Sequence, residues 1–214
     1  MQALVLLTDL RLSGEIVAEN VAYEDFLNRE YGDHVEWYKG YVILMSKIDQ
    51  RHDALTTFFT VFFDVFLNVT GGGRILHDPM VMRTRPDLPV RAPDIQILLP
   101  EHLHYIRQNE VVGVADLVIE VVSPGSERRD RVEKFSEYER AGVPEYWLLD
   151  HRHQESLFYQ LDAEGHYQRI DPDTDGVYHS AVLKDLRLKV AILWQEELPR
   201  GMEVVRMVEA MLTL

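Results

Sequence analysis

The run Leu117-Val118-Ile119-Glu120-Val121-Val122-Ser123-Pro124 decides how this chain is read. Alternate side chains of a strand face opposite sides, so Leu117, Ile119 and Val121 share one face and Val118, Glu120 and Val122 the other. Both faces are apolar, which predicts a central strand covered on both sides. Ser123-Pro124-Gly125 ends it. Glu120 therefore sits among residues suited to packing, where a carboxylate is costly unless it is paired or holds a metal.

Upstream, Pro93-Asp94 opens Ile95-Gln96-Ile97-Leu98-Leu99, a second core-like strand with an acid at one end. If neighbouring strands bring Asp94 and Glu120 together, their like charges need a cation between them. Two carboxylates with water form a hard-oxygen set, which suits Mg²⁺ or Mn²⁺ better than zinc. The structural alternative is that Glu120 pairs with an Arg or Lys and that Asp94 caps a turn. Downstream, a helix is predicted over 127–141, ending at Gly142. It carries Lys134, whose stem can lie along apolar surface while its ammonium reaches a neighbouring site. There it would steady developing charge on a phosphorane or orient the attacking water. Asp130 and Glu137, four before and three after, offer ordinary helix ion pairs instead.

Further outward, a short helix is expected over 21–30, and a hairpin over 35–38 and 41–44 turning at Lys39-Gly40. Leu55, Phe58, Phe59, Phe62, Phe66 and Val69 recur at helical spacing, predicting an apolar helix over 52–69 that Gly71-Gly72-Gly73 stops. Strands are expected at 74–77, 79–84, 94–99, 116–122 and 145–150, with an antiparallel extension at 156–161, 167–170 and 177–183. A final amphipathic helix over 201–213 carries Val204, Val208, Met211 and Leu212. This order predicts an α/β (α+β) mixed sheet with helices packed against it, in a single domain over 1–214 with its core at about 21–190.

The 214 residues are 46% hydrophobic and 27% charged, the balance of a globular protein. There is no cysteine, which excludes disulfides and thiolate metal sites. The N-terminal run lacks a basic flank and a small-residue cleavage site, and no stretch approaches the length of a membrane span. The expected location is the cytoplasm, with no membrane partner. The formal charge of -14 repels nucleic acid at long range, leaving a local basic patch as the route to DNA. Arg83, Arg85 and Arg91 before Asp94, and Arg128, Arg129 and Arg131 after Glu120, are the candidates for that patch, with surface charge balance as the alternative. The apolar face of the last helix would suit a homodimer.

Other motifs carry less. Asp171 to Gly176 imitates the start of a calcium loop, but the twelfth position is Val182, so it reads as a hairpin turn. The pairs His102/His104 and His151/His153 read as polar loop residues rather than zinc ligands.

The run Leu117 to Pro124, then Asp130, Lys134 and Tyr138, then Ala141-Gly142-Val143-Pro144-Glu145-Tyr146-Trp147 and Asp150, resembles the Uma-two family of restriction-endonuclease-like proteins, within the PD-(D/E)XK nuclease superfamily. Pro93-Asp94 resembles the family's Pro-Asp motif, Glu36 with Gly40 its N-terminal motif, and His52 its histidine at the start of the long helix. The resemblance covers about residues 21–190. It implies a four-stranded mixed sheet flanked by helices and a divalent-metal site that hydrolyses phosphodiesters, with DNA as the expected substrate. By position it implies Asp94 and Glu120 as ligands of Mg²⁺ or Mn²⁺, the Val121 carbonyl as a third, and Glu36 and His52 as further site residues. The superfamily's usual lysine, two residues after the acid, is Val122 here. The resemblance implies that Lys134 on the following helix takes its place. The alternative function is a catalytically silent binding or assembly module that keeps the fold.

Overall fold

The structure, a computed structural model, describes residues 15–29, 31, 35–44, 49–123 and 125–213. The N-terminal run 1–14, Glu30 at the end of the first predicted helix and Pro124 in the predicted strand break lie outside the described residues.

The predicted central strand is β8 (Leu117–Val121), buried at every position. It pairs antiparallel with β6 (Ile95–Leu98) on one side and parallel with β9 (Glu145–Asp150) on the other. The edge beyond β6 is β4 (Arg74–His77), and beyond β9 lie β10 (Glu155–Leu161) and β11 (Tyr167–Arg169), all antiparallel to their neighbours. The order β11-β10-β9-β8-β6-β4 is thus a mixed four-stranded core with an antiparallel extension. The parallel step from β8 to β9 needs a crossover. A helical run supplies it: a π-helical turn, Arg129–Lys134, continuing into α3 (Phe135–Ala141).

One face of the sheet is covered by α2 (Gln50–Thr70). Phe58, Phe59, Phe62, Phe63 and Phe66 are buried there against Ile95, Ile97, Leu117, Ile119, Val121 and Trp147. Each fully buried phenylalanine contributes about 1.5–3 kcal/mol, so this face is the main hydrophobic anchor. α2 is long and apolar enough by length and composition to cross a membrane, contrary to the expectation that no stretch is. Its phenylalanine stripe spent on the sheet marks a core helix. Gly71, at φ +126°, caps it, and its N–H bonds to the Leu67 carbonyl. The C-terminal helix α4 (Met202–Leu212) buries Val204, Val208 and Met211 in the same core. The apolar face that was to support a homodimer is therefore used inside the chain.

The opposite face packs Val118, Val122, Tyr146 and Leu148 against Tyr138 of α3. A smaller antiparallel sheet, β1 (Glu15–Ala18), β3 (Tyr41–Leu44) and β2 (Val35–Tyr38), joins α1 (Tyr23–Asn28) around a third core of Phe26, Val42, Val81, Val90 and Ala92. The hairpin turn is at Lys39 and Gly40, both at positive φ, as the sequence predicts. Short strands β5 (Val81–Arg83) and β7 (Glu110–Val112) pair parallel, and β12 (Val177–His179) pairs with β13 (Arg187–Lys189). β1, β7 and β13 are additions to the sequence reading, and the strand expected over 177–183 stops at His179 because the chain turns there to let Ser180, Ala181 and Val182 bond to Glu145.

Candidate active site

The antiparallel register pairs Ile95 with Ile119, so one position further out Asp94 lies opposite Glu120. Two acids separated by 25 intervening residues thus meet at one end of β6 and β8. Glu120 is 1% exposed. Its Oε2 lies 2.8 Å from Lys134 Nζ, and its Oε1 accepts a 2.7 Å bond from the Tyr138 hydroxyl. Both partners come from the crossover helix, four residues apart on one face.

Asp94 is held differently. Its Oδ2 accepts from the Val121 backbone N–H at 2.7 Å and lies 3.1 Å from His52 Nε2. Among the described residues no hydrogen bond engages Oδ1. His52 occupies the first turn of α2, where Asp49 is the cap, accepting from the Arg51 and His52 N–H groups. Asp49 therefore caps the helix, and His52 turns inward and is buried.

Glu36 of β2 reaches the same cluster from the small sheet and is 1% exposed. Arg91 Nη1 donates to Glu36 Oε2, and Lys134 Nζ lies 3.7 Å from Glu36 Oε1. Arg91 also donates to both oxygens of Glu137, at 2.7 and 2.9 Å. Asp130 stands 3.6 Å from Lys134. Asp94, Glu120, Lys134, Glu36 and His52 are thus all brought together, on four separate elements and a strand end.

Charge inside this enclosure shifts the groups in opposite directions. Burial pushes Glu120 up to about 8; Lys134 opposes that and Asp94 reinforces it. Burial would raise Glu36 too, but Arg91, Lys134 and Arg129 together draw it down to about 2. For Asp94 burial is again outweighed, here by the hydrogen bond and charge of His52, and its pKa falls. Lys134 loses solvation yet is raised by Glu120, Glu36 and Asp130, so it is a firmly held cation. The site therefore holds a carboxylate that ionises easily beside one that ionises only with help from positive charge.

The donors that face one another suit a hard divalent cation. Two carboxylates, one with an oxygen left open, stand beside the Val121 peptide, and there is no thiolate. Elsewhere, Glu127, Asp150 and His153 bring ligand atoms within 4.8 Å of one another. Arg131 already donates to Asp150 and Glu155 at 2.7 Å each, so that grouping is a compensated ion-pair cluster.

Several partners escaped the sequence reading. Arg91 was expected at a phosphate-contacting surface and is instead 2% exposed beneath the site. The signal was its setting, Pro89-Val90-Arg91-Ala92-Pro93, an arginine among apolar residues. Arg83 pairs with Glu110, Arg85 with Asp87 and Arg131 with Asp150, so most of the expected basic patch is consumed within the chain. Tyr138, part of the motif that carries the resemblance, follows Lys134 at one helical turn, the spacing that brings both to the same carboxylate.

The Uma2 family profile, described as "Putative restriction endonuclease", matches residues 22–191. The crystal structure of "a putative nuclease belonging to DUF820 from Anabaena variabilis ATCC 29413" superposes with a TM-score of 0.64, covering 80% of this chain and 96% of that one at 17% identity. At that identity the likeness speaks for the fold. No curated protein matches the sequence. With the family profile spanning most of the chain, including every residue of the cluster around Glu120, this protein belongs to the Uma2 family.

Proposed function

We propose that this chain is a divalent-metal-dependent endonuclease that hydrolyses DNA phosphodiester bonds, acting from a single domain over 1–214. The observation that carries the reading is the pairing of Asp94 and Glu120 across β6 and β8 with the Lys134 ammonium 2.8 Å from Glu120. Asp94, Glu120 and the Val121 carbonyl would hold Mg²⁺ or Mn²⁺. When bound, the ion supplies Lewis-acid stabilisation of the phosphate and lowers the pKa of water.

The rest is the work of the chain's own residues. His52 and the Val121 N–H fix the Asp94 carboxylate through Oδ2, which leaves Oδ1 for a ligand. Tyr138 holds Glu120 Oε1, which leaves Oε2 to share between Lys134 and a cation. Lys134 provides a fixed positive charge for the developing negative charge at phosphorus, and it serves in the position left by Val122. Glu36 and Asp130 keep that ammonium protonated and aimed. Arg91 positions Glu36 in turn.

A second reading, a non-catalytic binding module, draws support from the charge of -14 and from the internal pairing of Arg83, Arg85, Arg91 and Arg131. Incubation of the purified chain with Mg²⁺ or Mn²⁺ and plasmid or single-stranded DNA separates the two. The nuclease reading predicts cleavage that falls at least about 100-fold in Glu120→Gln and in Lys134→Met, given the several kcal/mol that transition-state charge stabilisation contributes. Equal cleavage by wild type and Glu120→Gln would assign the activity to a contaminant. No cleavage by wild type, with no Asp94-dependent metal binding in calorimetry, would favour the silent module.

A further inference from the structure

The crossover helix holds one charged group that the site described above does not use. Arg129 is 5% exposed, yet its Nε and Nη1 have no hydrogen-bond partner among the described residues. Its nearest acid, Asp130, has Oδ1 3.6 Å from Nε, beyond hydrogen-bonding range. Every other buried cation in the neighbourhood is bonded: Arg91 to Glu36 and Glu137, Lys134 to Glu120. A buried guanidinium with unmet donors is costly, and a fold that only needed packing there would place an apolar residue.

The local backbone explains why Arg129 faces inward. In a π-helical turn the bonds run from residue i to i+5, so positions five apart return to the same side of the helix. Across Arg129–Lys134 this buries Arg129, Asp130 and Lys134 together. An α-helical course would rotate Arg129 away from Lys134. The positive charge of Arg129 is accordingly felt at Glu36 and at Lys134. Arg129 and Lys134 both stand 3.6 Å from Asp130 Oδ1, so two cations are gathered about one carboxylate, and the unmet Nε and Nη1 of Arg129 leave capacity for a second anion. The fork of a guanidinium matches two oxygens of a phosphate.

We propose that Arg129 is a phosphate-binding residue of this site, donating Nε–H and Nη–H to non-bridging oxygens of the nucleic-acid backbone beside the scissile bond. The proposal rests on the nuclease reading for the identity of the phosphate. The geometry also accounts for how an acidic protein engages a polyanion: the needed cation is built in beneath the surface, away from the -14 exterior field.

The test uses the full chain and a 5′-labelled oligonucleotide in Ca²⁺, read by fluorescence anisotropy over a range of salt, with wild type, Arg129→Met, Arg129→Lys and Glu120→Gln, and cleavage in Mn²⁺ measured on the same preparations. Loss of a bidentate charged contact should weaken Arg129→Met roughly tenfold or more, with Arg129→Lys recovering part of it. The slope of log affinity against log salt should become shallower by about 0.7–0.9, the change for one phosphate contact. Because Nε and Nη1 make no hydrogen bond in the free protein, Arg129→Met should keep or raise the melting temperature. Unchanged affinity and slope, or a large fall in melting temperature, would overturn the proposal and make Arg129 a structural group. Cleavage intact with no Arg129 effect sinks this proposal alone. Binding with the expected Arg129 effect but no cleavage sinks the nuclease reading alone. No binding by wild type sinks both.

Discussion

Glu36 illustrates how much a single residue's environment decides. On a hairpin strand it would ordinarily be solvated, and here it is sealed between Arg91 and Lys134. Its folded pKa of about 2 lies below the unfolded value of about 4.3. A depressed carboxylate stabilises the fold fully above its unfolded pKa, and that contribution is lost as pH falls through the folded one. Urea denaturation of wild type and Glu36→Gln between pH 7 and pH 2 checks this. Wild type should lose on the order of 2–3 kcal/mol between about pH 5 and pH 2 that the glutamine variant does not lose. Parallel curves would mean that Arg91 and Lys134 do not hold Glu36 ionised. Asp94 and Glu120 are legible as acids in apolar runs, Lys134 by its place on the following helix together with the family resemblance, and Glu36 and His52 by that resemblance alone. The role of Arg91 is not legible because its partners lie far off in the chain: Glu36 and Glu137 are 55 and 46 residues away.

Among elements, the turn from α2 into β4 sets where the sheet begins. Gly71 and Gly73 both adopt positive φ, but a Cβ on Gly73 would lie 2.8 Å from the Leu98 carbonyl oxygen while one on Gly71 would meet nothing. Gly71→Ala should therefore cost about 1 kcal/mol from backbone strain, and Gly73→Ala clearly more, since it also pushes on β6, the strand that ends at Asp94. Equal costs in urea denaturation would show that the close approach is absent. Some elements were legible: β9 falls on the apolar run Tyr146 to Leu149, and the 35–44 hairpin turns at Lys39-Gly40. The π-helical turn was not, because a reading built on a 3.6-residue period assigns Arg129 and Lys134 to different faces. Nor was β13, whose Arg187-Leu188-Lys189 gives only one apolar position.

At the scale of the whole molecule, the chain separates a largely buried, mixed-charge cluster from an acidic exterior. Four of the six arginines that flank the acids in sequence are bonded to carboxylates of the same chain. Few basic groups are then left for phosphates, so binding should depend only modestly on salt. The expected slope of log affinity against log salt is roughly -3 or shallower, against about -6 or steeper for proteins with many phosphate contacts. A steep slope would reveal a basic surface that the described residues do not provide.

The central claim is that Asp94 and Glu120 share one divalent ion. The direct measurement is anomalous diffraction from a crystal soaked in Mn²⁺. One peak bridging the Asp94 and Glu120 carboxylates, lost in Asp94→Ala, is the predicted result. No peak there, or a peak only at Glu127, Asp150 and His153, would contradict it.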